Sequence, residues 1–337
     1  MAGLLSSVTL KRAAAHWQFK VAVDHSQARL LRPDSFAHDT AYADGSLMDG
    51  VAITAALKAN RTVVLHNMEL YWPPISQLCL ALMRAFGVYA QANVYYSPAG
   101  LPSAVHAHQD AQSVFVVQCE GRKSWELLEP PQRWRLRYNQ RGKAGDVAPE
   151  SELMRPIASY TLSPGDVLFV PRGMYHRTST QAHEGSRASE HGVKPGVKPV
   201  AKPVAKPVAS LHVTVGVETD TDQYTWLSLL VDAAKSLGLA DAEARLDAAK
   251  WEHEHLREAL PLRLCRFGST FERSEPLGAS SLARAREVLG THLKLRANEL
   301  EMEPLRRALD GALRTRQEHV EQKRQQLVEF MHMARAV

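Results

Sequence analysis

Between residues 49 and 217 the spacing of apolar positions changes several times, and each change marks an element. VAITAALKAN carries the spacing of a short helix and RTVVLHNME that of a strand. PISQLCLALMRAFG follows as an amphipathic helix, opened by Pro73-Pro74 and closed by Gly87. QANVYYSP alternates as a strand, which places Asn93, Tyr95 and Ser97 on one face. A strand-like run from Ser113 to Cys119 comes next, ended by a glycine turn and Lys123. Val167 to Val170 is expected as a buried strand between turns at Ser163 to Asp166 and at Arg172-Gly173, and SLHVTVGVE as a further strand.

Two stretches interrupt the pattern. Residues 130 to 160 form a polar, basic connection, expected as an irregular loop; a surface insertion is the plain reading and a substrate-facing lid the functional one. Residues 181 to 209 are low-complexity, with Lys-Pro at 194, 198, 202 and 206. Proline removes backbone donors and favours an extended chain, so this segment is expected as a solvated spacer inserted in the domain. From Asp220 the strand signals stop and helical spacing takes over. The last helix bears a stripe of Leu305, Leu309, Leu313, Val320, Leu327 and Phe330, which packs either on its own domain or on a second copy. The expected division is therefore an N-terminal extension (1–48), a mainly β domain (49–219) and a helical region (220–337) that offers a homodimer surface.

Composition narrows the class. The chain has 337 residues, 45% of them hydrophobic and 23% charged, which suits a globular protein with a full core. No apolar run approaches the ~18 residues of a membrane span. Cys79, Cys119 and Cys265 are few and widely spaced, so neither a disulfide framework nor a zinc ribbon is expected and a reducing, intracellular compartment fits. The N-terminal twenty residues lack the order of a secretory signal, leaving an organelle transit peptide as the targeted alternative. A formal charge of +5 permits RNA or a ribosome as partner, but it is modest and does not by itself argue direct nucleic-acid binding.

The chemistry gathers in HAHQDAQSVFVVQCEGRKSWE, His106 to Glu126. In a strand, His108 and Asp110 would leave the same face and present a nitrogen and a carboxylate to one point. Two histidines and one carboxylate hold Fe(II) on one face and leave the other positions open. The second histidine is best sought at His176, in SPGDVLFVPRGMYHRTS; His106, by strand parity, and His212, in SLHVTV, are its rivals. Any one of these histidines taken alone is more often structural, Lys123 alone is more often a solvated turn residue, and Trp125 more often fills a core.

Taken together, N-V-Y-x-S-P (93–98), H-x-D (108–110), VFVVQxEGRKxW (114–125), PGDVLFVPRGxxH (164–176) and SLHVTVG (210–216) resemble the JmjC and cupin-type Fe(II)/2-oxoglutarate oxygenases, most closely the ribosomal-oxygenase branch that hydroxylates proteins. The resemblance covers roughly residues 90 to 217. It implies a double-stranded β-helix (jelly-roll) barrel with a helical C-terminal region. It also implies His108, Asp110 and His176 as catalytic metal ligands and Lys123 as the partner of the distal 2-oxoglutarate carboxylate. Asn93 and Tyr95 would be co-substrate or substrate contacts, and His212 would line the site behind the ligands. The implied activity is protein hydroxylation, with a ribosomal protein as substrate and a nuclear, nucleolar or cytoplasmic setting. Histone-lysine demethylation is a variant of the same chemistry. A catalytically silent binding module and a small-molecule cupin dioxygenase are the competing classes. The chain departs from the family pattern in a spacing from Asn93 to His108 one residue longer, in Ala107 where proline is usual, and in the Lys-Pro insertion. It also has no strand pattern near the C-terminus for the winged-helix domain that commonly follows.

Overall fold

The computed structural model describes residues 4–21, 27–33, 45–110, 112–128, 156–181, 206–217, 225–249, 278–296 and 299–335. Among them, ten strands form two antiparallel sheets facing each other as the expected double-stranded β-helix. The larger sheet takes β1 (Ala28–Leu31), β2 (Thr62–Leu65), β3 (Ala90–Ser97), β5 (Ser113–Glu120), β8 (Val167–Val170) and β10 (Ser210–Val217), in the order β1-β2-β3-β10-β5-β8. The smaller takes β4 (Val105–His108), β6 (Lys123–Leu128), β7 (Pro156–Leu162) and β9 (Tyr175–Ser179), in the order β4-β9-β6-β7.

Alternation in the larger sheet separates two cores. Val117, Val213 and Val215 point outward and pack with the helices, whereas Val114 and Val116 point into the barrel against Trp125, Leu127 and Leu162. The helices over the outer face include α1 (Ser7–Trp17), α2 (Gly50–Lys58) and α3 (Pro73–Phe86). Each has a local reason to start or stop. Asp49 accepts the Val51 and Ala52 N–H groups at the head of α2, and Gly87, at φ 71°, closes α3 by donating to Met83 O. Glu120, at the end of β5, accepts from Ser7 N at 2.7 Å and Ser7 Oγ at 2.9 Å, tying the start of α1 to the barrel.

The helical expectation for the C-terminal region is met by α4 (Trp226–Ser236), α5 (Ala242–Ala249), α6 (Ala279–Leu293) and α7 (Met302–Arg335). Leu305, Leu309, Leu313, Val320 and Leu327 on α7 are buried in the same core as α3 and α4, so this stripe packs on its own chain. Arg316, also on α7, reaches Asp232 Oδ2 at 2.8 Å and Ser228 Oγ at 3.0 Å on α4.

Three expectations change. Val167 to Val170 is a strand but not a buried one: β8 is the outermost strand of its sheet, and Val167 and Phe169 are 45% and 48% exposed. Part of the connection placed at 130 to 160 is β7, an edge strand with five of seven positions exposed, so no alternation announced it. Asp110 lies beyond the end of β4 rather than in a strand. There its carbonyl accepts from Gly173 N at 3.1 Å. The remaining part of that connection and most of the Lys-Pro segment lie outside the described residues.

A buried carboxylate compensates where β2 stops short. Pairing of β2 with β3 ends at Leu65 and Val94, and Glu69 Oε2 then accepts the Ala92 N–H at 2.8 Å in place of a strand carbonyl. Tyr89 OH donates to Glu69 Oε1 at 3.1 Å. The side chain is 0% exposed, and burial raises its pKa against these hydrogen bonds.

Gly121 turns the chain from β5 in the larger sheet to β6 in the smaller, and so delivers Lys123 to the barrel. Its φ is +69°, and a Cβ there would sit 1.7 Å from the Ala209 carbonyl oxygen. Gly121→Ala combines a strained backbone with a clash against main chain, and should cost at least ~3 kcal/mol. The check is the chemical-denaturation midpoint; an unchanged midpoint would contradict this account of the turn.

Candidate metal centre and its cavity

Three side chains from separate places in the chain meet inside the barrel. His108 ends β4, His176 is the second residue of β9, and the two are register partners across the smaller sheet, with ring centroids 4.1 Å apart. Asp110 completes the group from the segment after β4. Its Oδ1 lies 3.8 Å from His108 Nε2 and its Oδ2 lies 3.6 Å from His176 Nε2. One ligand atom from each of the three falls within 4.8 Å of the others. Both histidines are buried, at 6% and 2% exposure.

The hydrogen bonding favours a cation at the centre of this group. His176 Nδ1 is 3.0 Å from the Met174 carbonyl, an acceptor, so the ring proton belongs on Nδ1 and the lone pair on Nε2. Nε2 and a carboxylate oxygen are then two acceptors facing each other, an arrangement a metal ion resolves. Two imidazoles and one carboxylate form a donor set suited to Fe(II) with open positions.

The triad opens into a narrow cleft lined also by Tyr95, Lys123, Trp125, Thr178 and His212. Register explains the layers. Leu127 on β6 pairs with His176, and Trp125 with Thr178 one step further in. Lys123 lies another step inward, so along β6 it begins roughly 13 Å from the level of the metal ligands, at ~3.3 Å per residue. On the opposite wall Tyr95 and His212 are register partners whose rings stack at 5.0 Å with an interplanar angle of 2°.

Lys123 sits in an unusual setting. It is 1% exposed, its Nζ donates to Ser97 Oγ at 3.0 Å, and among the described residues it forms no ion pair. Burial lowers its pKa to about 7. His212 is pushed well below the usual histidine range by burial first, then by the charges of Lys123 and His176, and is neutral. Trp125 Nε1, Thr178 Oγ1 and His212 Nδ1 are buried polar atoms without a hydrogen-bond partner among the described residues. A cavity walled by a lone ammonium and unsatisfied polar groups suits a small anion with several acceptor oxygens.

Most expected site residues converge. His108, Asp110, His176, Lys123, Tyr95 and His212 all line the cleft. Asn93 does not: it lies one step along β3, with Oδ1 3.2 Å from His66 Nδ1 and 3.4 Å from Asn67 N. The side chain of His106 lies outside the described residues. Trp125, expected as core, both packs and lines the cavity, its ring 5.6 Å from that of His176 at 28°. Thr178 was not foreseen; its alternation with His176 along β9 was the available signal.

Residues 69–198 match the model of the JmjC domain family. Among curated proteins, the chain is 34% identical over 198 residues to the bifunctional lysine-specific demethylase and histidyl-hydroxylase NO66 of Drosophila mojavensis. That match covers 59% of this chain and 18% of the relative. It is 32% identical over 130 residues to ribosomal oxygenase 2 of Bos taurus, covering 39% of this chain and 26% of the relative. The chain thus spans about a quarter or less of these relatives' length. Among solved structures, E. coli ycfD aligns over 89% of this chain and 63% of its own, at 14% identity and a TM-score of 0.42. Over residues 69–198 the chain is thus similar to the JmjC domain, and the curated relatives it matches include a ribosomal oxygenase.

Proposed function

We propose that this protein is an Fe(II)- and 2-oxoglutarate-dependent dioxygenase that hydroxylates a protein side chain, with a ribosomal protein as the favoured substrate. The observation that carries the reading is Lys123, a buried lysine with no carboxylate partner among the described residues, sharing one cavity with a His-Asp-His donor set. His108, Asp110 and His176 would hold the iron, and Lys123 the distal carboxylate of the co-substrate. When bound, iron and 2-oxoglutarate supply the coupled oxidation of the co-substrate and of a C–H bond by dioxygen.

The protein contributes placement. His176 keeps its ring proton on Nδ1 through Met174 O, which fixes Nε2 as the coordinating atom. Lys123 offers a charge-assisted contact that sets the co-substrate's depth. Trp125 and Thr178 wall the layer between these two anchors and keep it narrow. Neutral His212 stacked on Tyr95 supplies the facing wall without adding a competing cation. Protein substrates are favoured because the relatives are named for histidyl hydroxylation, lysine demethylation and ribosomal oxygenation, and demethylation is the second activity to assay. An intracellular setting, nuclear or cytoplasmic, follows from the same substrates.

The direct assay offers ribosomal proteins and peptides to the protein with Fe(II) and 2-oxoglutarate. The expected result is succinate release with a 16-Da (about one oxygen atom) gain on the substrate, absent in His108→Ala. Succinate at the level of that control would remove the claim for those substrates. His176→Ala should lose Fe(II) affinity by tenfold or more (on the order of the loss for a removed ligand) in an anaerobic titration. Lys123→Ala should keep metal affinity but weaken 2-oxoglutarate about ten- to hundredfold, the loss expected for a charged hydrogen bond.

Proton linkage gives a further check. A dicarboxylate beside Lys123 raises the lysine pKa above its ligand-free value of about 7, so binding takes up a proton wherever the free lysine is neutral. Affinity should therefore fall as pH rises above 7, by up to about tenfold per pH unit. Calorimetry in buffers of different ionisation heat measures the uptake, and affinity constant from pH 6 to 8.5 would contradict it.

A further inference from the structure

Two threonines follow His176 at alternate positions, equally buried and differently partnered. Thr178, on β9, and Thr180, just past its end, are 4% and 3% exposed. The Thr180 hydroxyl donates to Pro98 O at 2.6 Å and accepts from Leu101 N at 2.9 Å. The hydroxyl groups beside Lys123 are engaged as well. Ser97 Oγ accepts from Lys123 Nζ at 3.0 Å and from Thr62 Oγ1 at 3.2 Å, and Thr62 Oγ1 also lies 3.0 Å from Ala104 O. Thr178 Oγ1, by contrast, is buried with no hydrogen-bond partner among the described residues.

Burying a hydroxyl without a partner is costly, and valine has the same shape without that cost, so packing alone does not account for the oxygen at 178. Its surroundings do. Thr178 is the register partner of Val105 on one side and of Trp125 on the other, and all three line the cleft that holds the His-Asp-His group and Lys123. Trp125 Nε1 and His212 Nδ1 lack partners in the same cleft, but those rings fill space as large bodies, whereas Thr178 differs from an apolar side chain only by its hydroxyl. Depth points the same way. Thr178 is two residues along β9 from His176, about 6.6 Å at ~3.3 Å per residue. The terminal carbons of an extended five-carbon dicarboxylate stand about 5 Å apart, at ~1.5 Å per bond. A molecule of that length anchored at the level of His176 therefore ends nearer the layer of Thr178 than the start of β6, one layer further in.

We propose that Thr178 is a binding residue for the co-substrate, donating its hydroxyl proton to one oxygen of the distal carboxylate while Lys123 contacts the other from the next layer. This rests on the co-substrate reading above. A carboxylate only accepts, and its two oxygens have room for more hydrogen bonds than Lys123 supplies, since one ammonium proton is already given to Ser97. The Thr178 proton has no other acceptor among the described residues. The contact also selects. A 2-oxo acid without the distal carboxylate leaves both the threonine hydroxyl and the ammonium unpaired in a buried cleft, and is rejected for that reason.

The test is anaerobic calorimetry on the full chain, for wild type, Thr178→Val and Thr178→Ser. Each is titrated first with Fe(II), then with 2-oxoglutarate or with 2-oxopentanoate, which carries a methyl group in place of the distal carboxylate. Thr178→Val keeps shape and removes the hydroxyl. It should bind 2-oxoglutarate about tenfold or more weakly, the loss of a hydrogen bond to a charged group, while its affinities for Fe(II) and 2-oxopentanoate stay within about twofold of wild type. Thr178→Ser should restore 2-oxoglutarate binding. Wild-type affinity for 2-oxoglutarate in Thr178→Val, a loss shared equally by 2-oxopentanoate or by Fe(II), or a serine variant as weak as the valine one would overturn the proposal. Where 2-oxopentanoate binds too weakly to read, Fe(II) affinity alone serves as the control. Should Thr178→Val fail to fold in thermal unfolding, Thr178→Ala against Thr178→Ser makes the same comparison, and equal 2-oxoglutarate affinity of the two would overturn the assignment. If wild type holds Fe(II) but binds no 2-oxoglutarate, the co-substrate reading itself falls, and this proposal with it.

Discussion

A lysine sealed inside a β barrel, hydrogen-bonded to Ser97 and forming no ion pair among the described residues, is half of an ion pair. Removing a charged ammonium from water is costly unless it is paired, and a fold that keeps such a group does so against its own stability. Lys123 is held this way by several independent features: the Gly121 turn that only glycine permits, the first position of β6, and the hydrogen bond to Ser97. None of these needs the charge for folding. A leucine in its place would satisfy the barrel better, so the charge is best explained by a ligand that completes it.

The same reasoning applies at the other end of the cavity. His108, Asp110 and His176 bring acceptor atoms together within 4.8 Å, which a fold avoids unless something positive lies between them. The smaller sheet makes this arrangement rigid, because the two histidines are partners in one antiparallel pair while the carboxylate follows from the same chain end. An electron-rich end and a cationic end, separated by the layer of Trp125 and Thr178, define a cavity with a direction. A dicarboxylate that chelates at one end and forms an ion pair at the other fits that polarity.

Much of this was visible in the primary structure, for identifiable reasons. β5 presents apolar residues to both the barrel and the helices, and β10 alternates Leu211, Val213 and Val215 toward the helices with His212 and Thr214 toward the cavity, so both stand out as strands. The H-x-D pair and His176 were legible because a donor set for a metal ion draws on few residue types, and the fold brings these three together. Edges were harder. β7 and β8 each have one free side and little burial, so their sequences do not alternate as core strands do. β1 has four buried residues in a row, ARLL, too short a run to stand apart from a loop or a helix turn. Asp110 joins the two histidines from outside a strand, so strand parity does not account for its place beside them. Asn93 shares strand parity with Tyr95, yet parity assigns a face and not a depth, and its carboxamide meets His66 instead. Thr62 and Ser97 are 35 residues apart and chemically ordinary. Only the register of β2 on β3 brings them to the lysine.

The central claim concerns the charge on one nitrogen, and side-chain NMR of isotope-labelled lysine, assigned through Lys123→Arg, observes it directly. In the ligand-free protein the Lys123 resonance should titrate near pH 7, apart from the other lysines, and move toward the ordinary lysine range when 2-oxoglutarate is added to the metal-loaded protein. A resonance that titrates with the surface lysines from the outset, or one that ignores the dicarboxylate, would contradict the account.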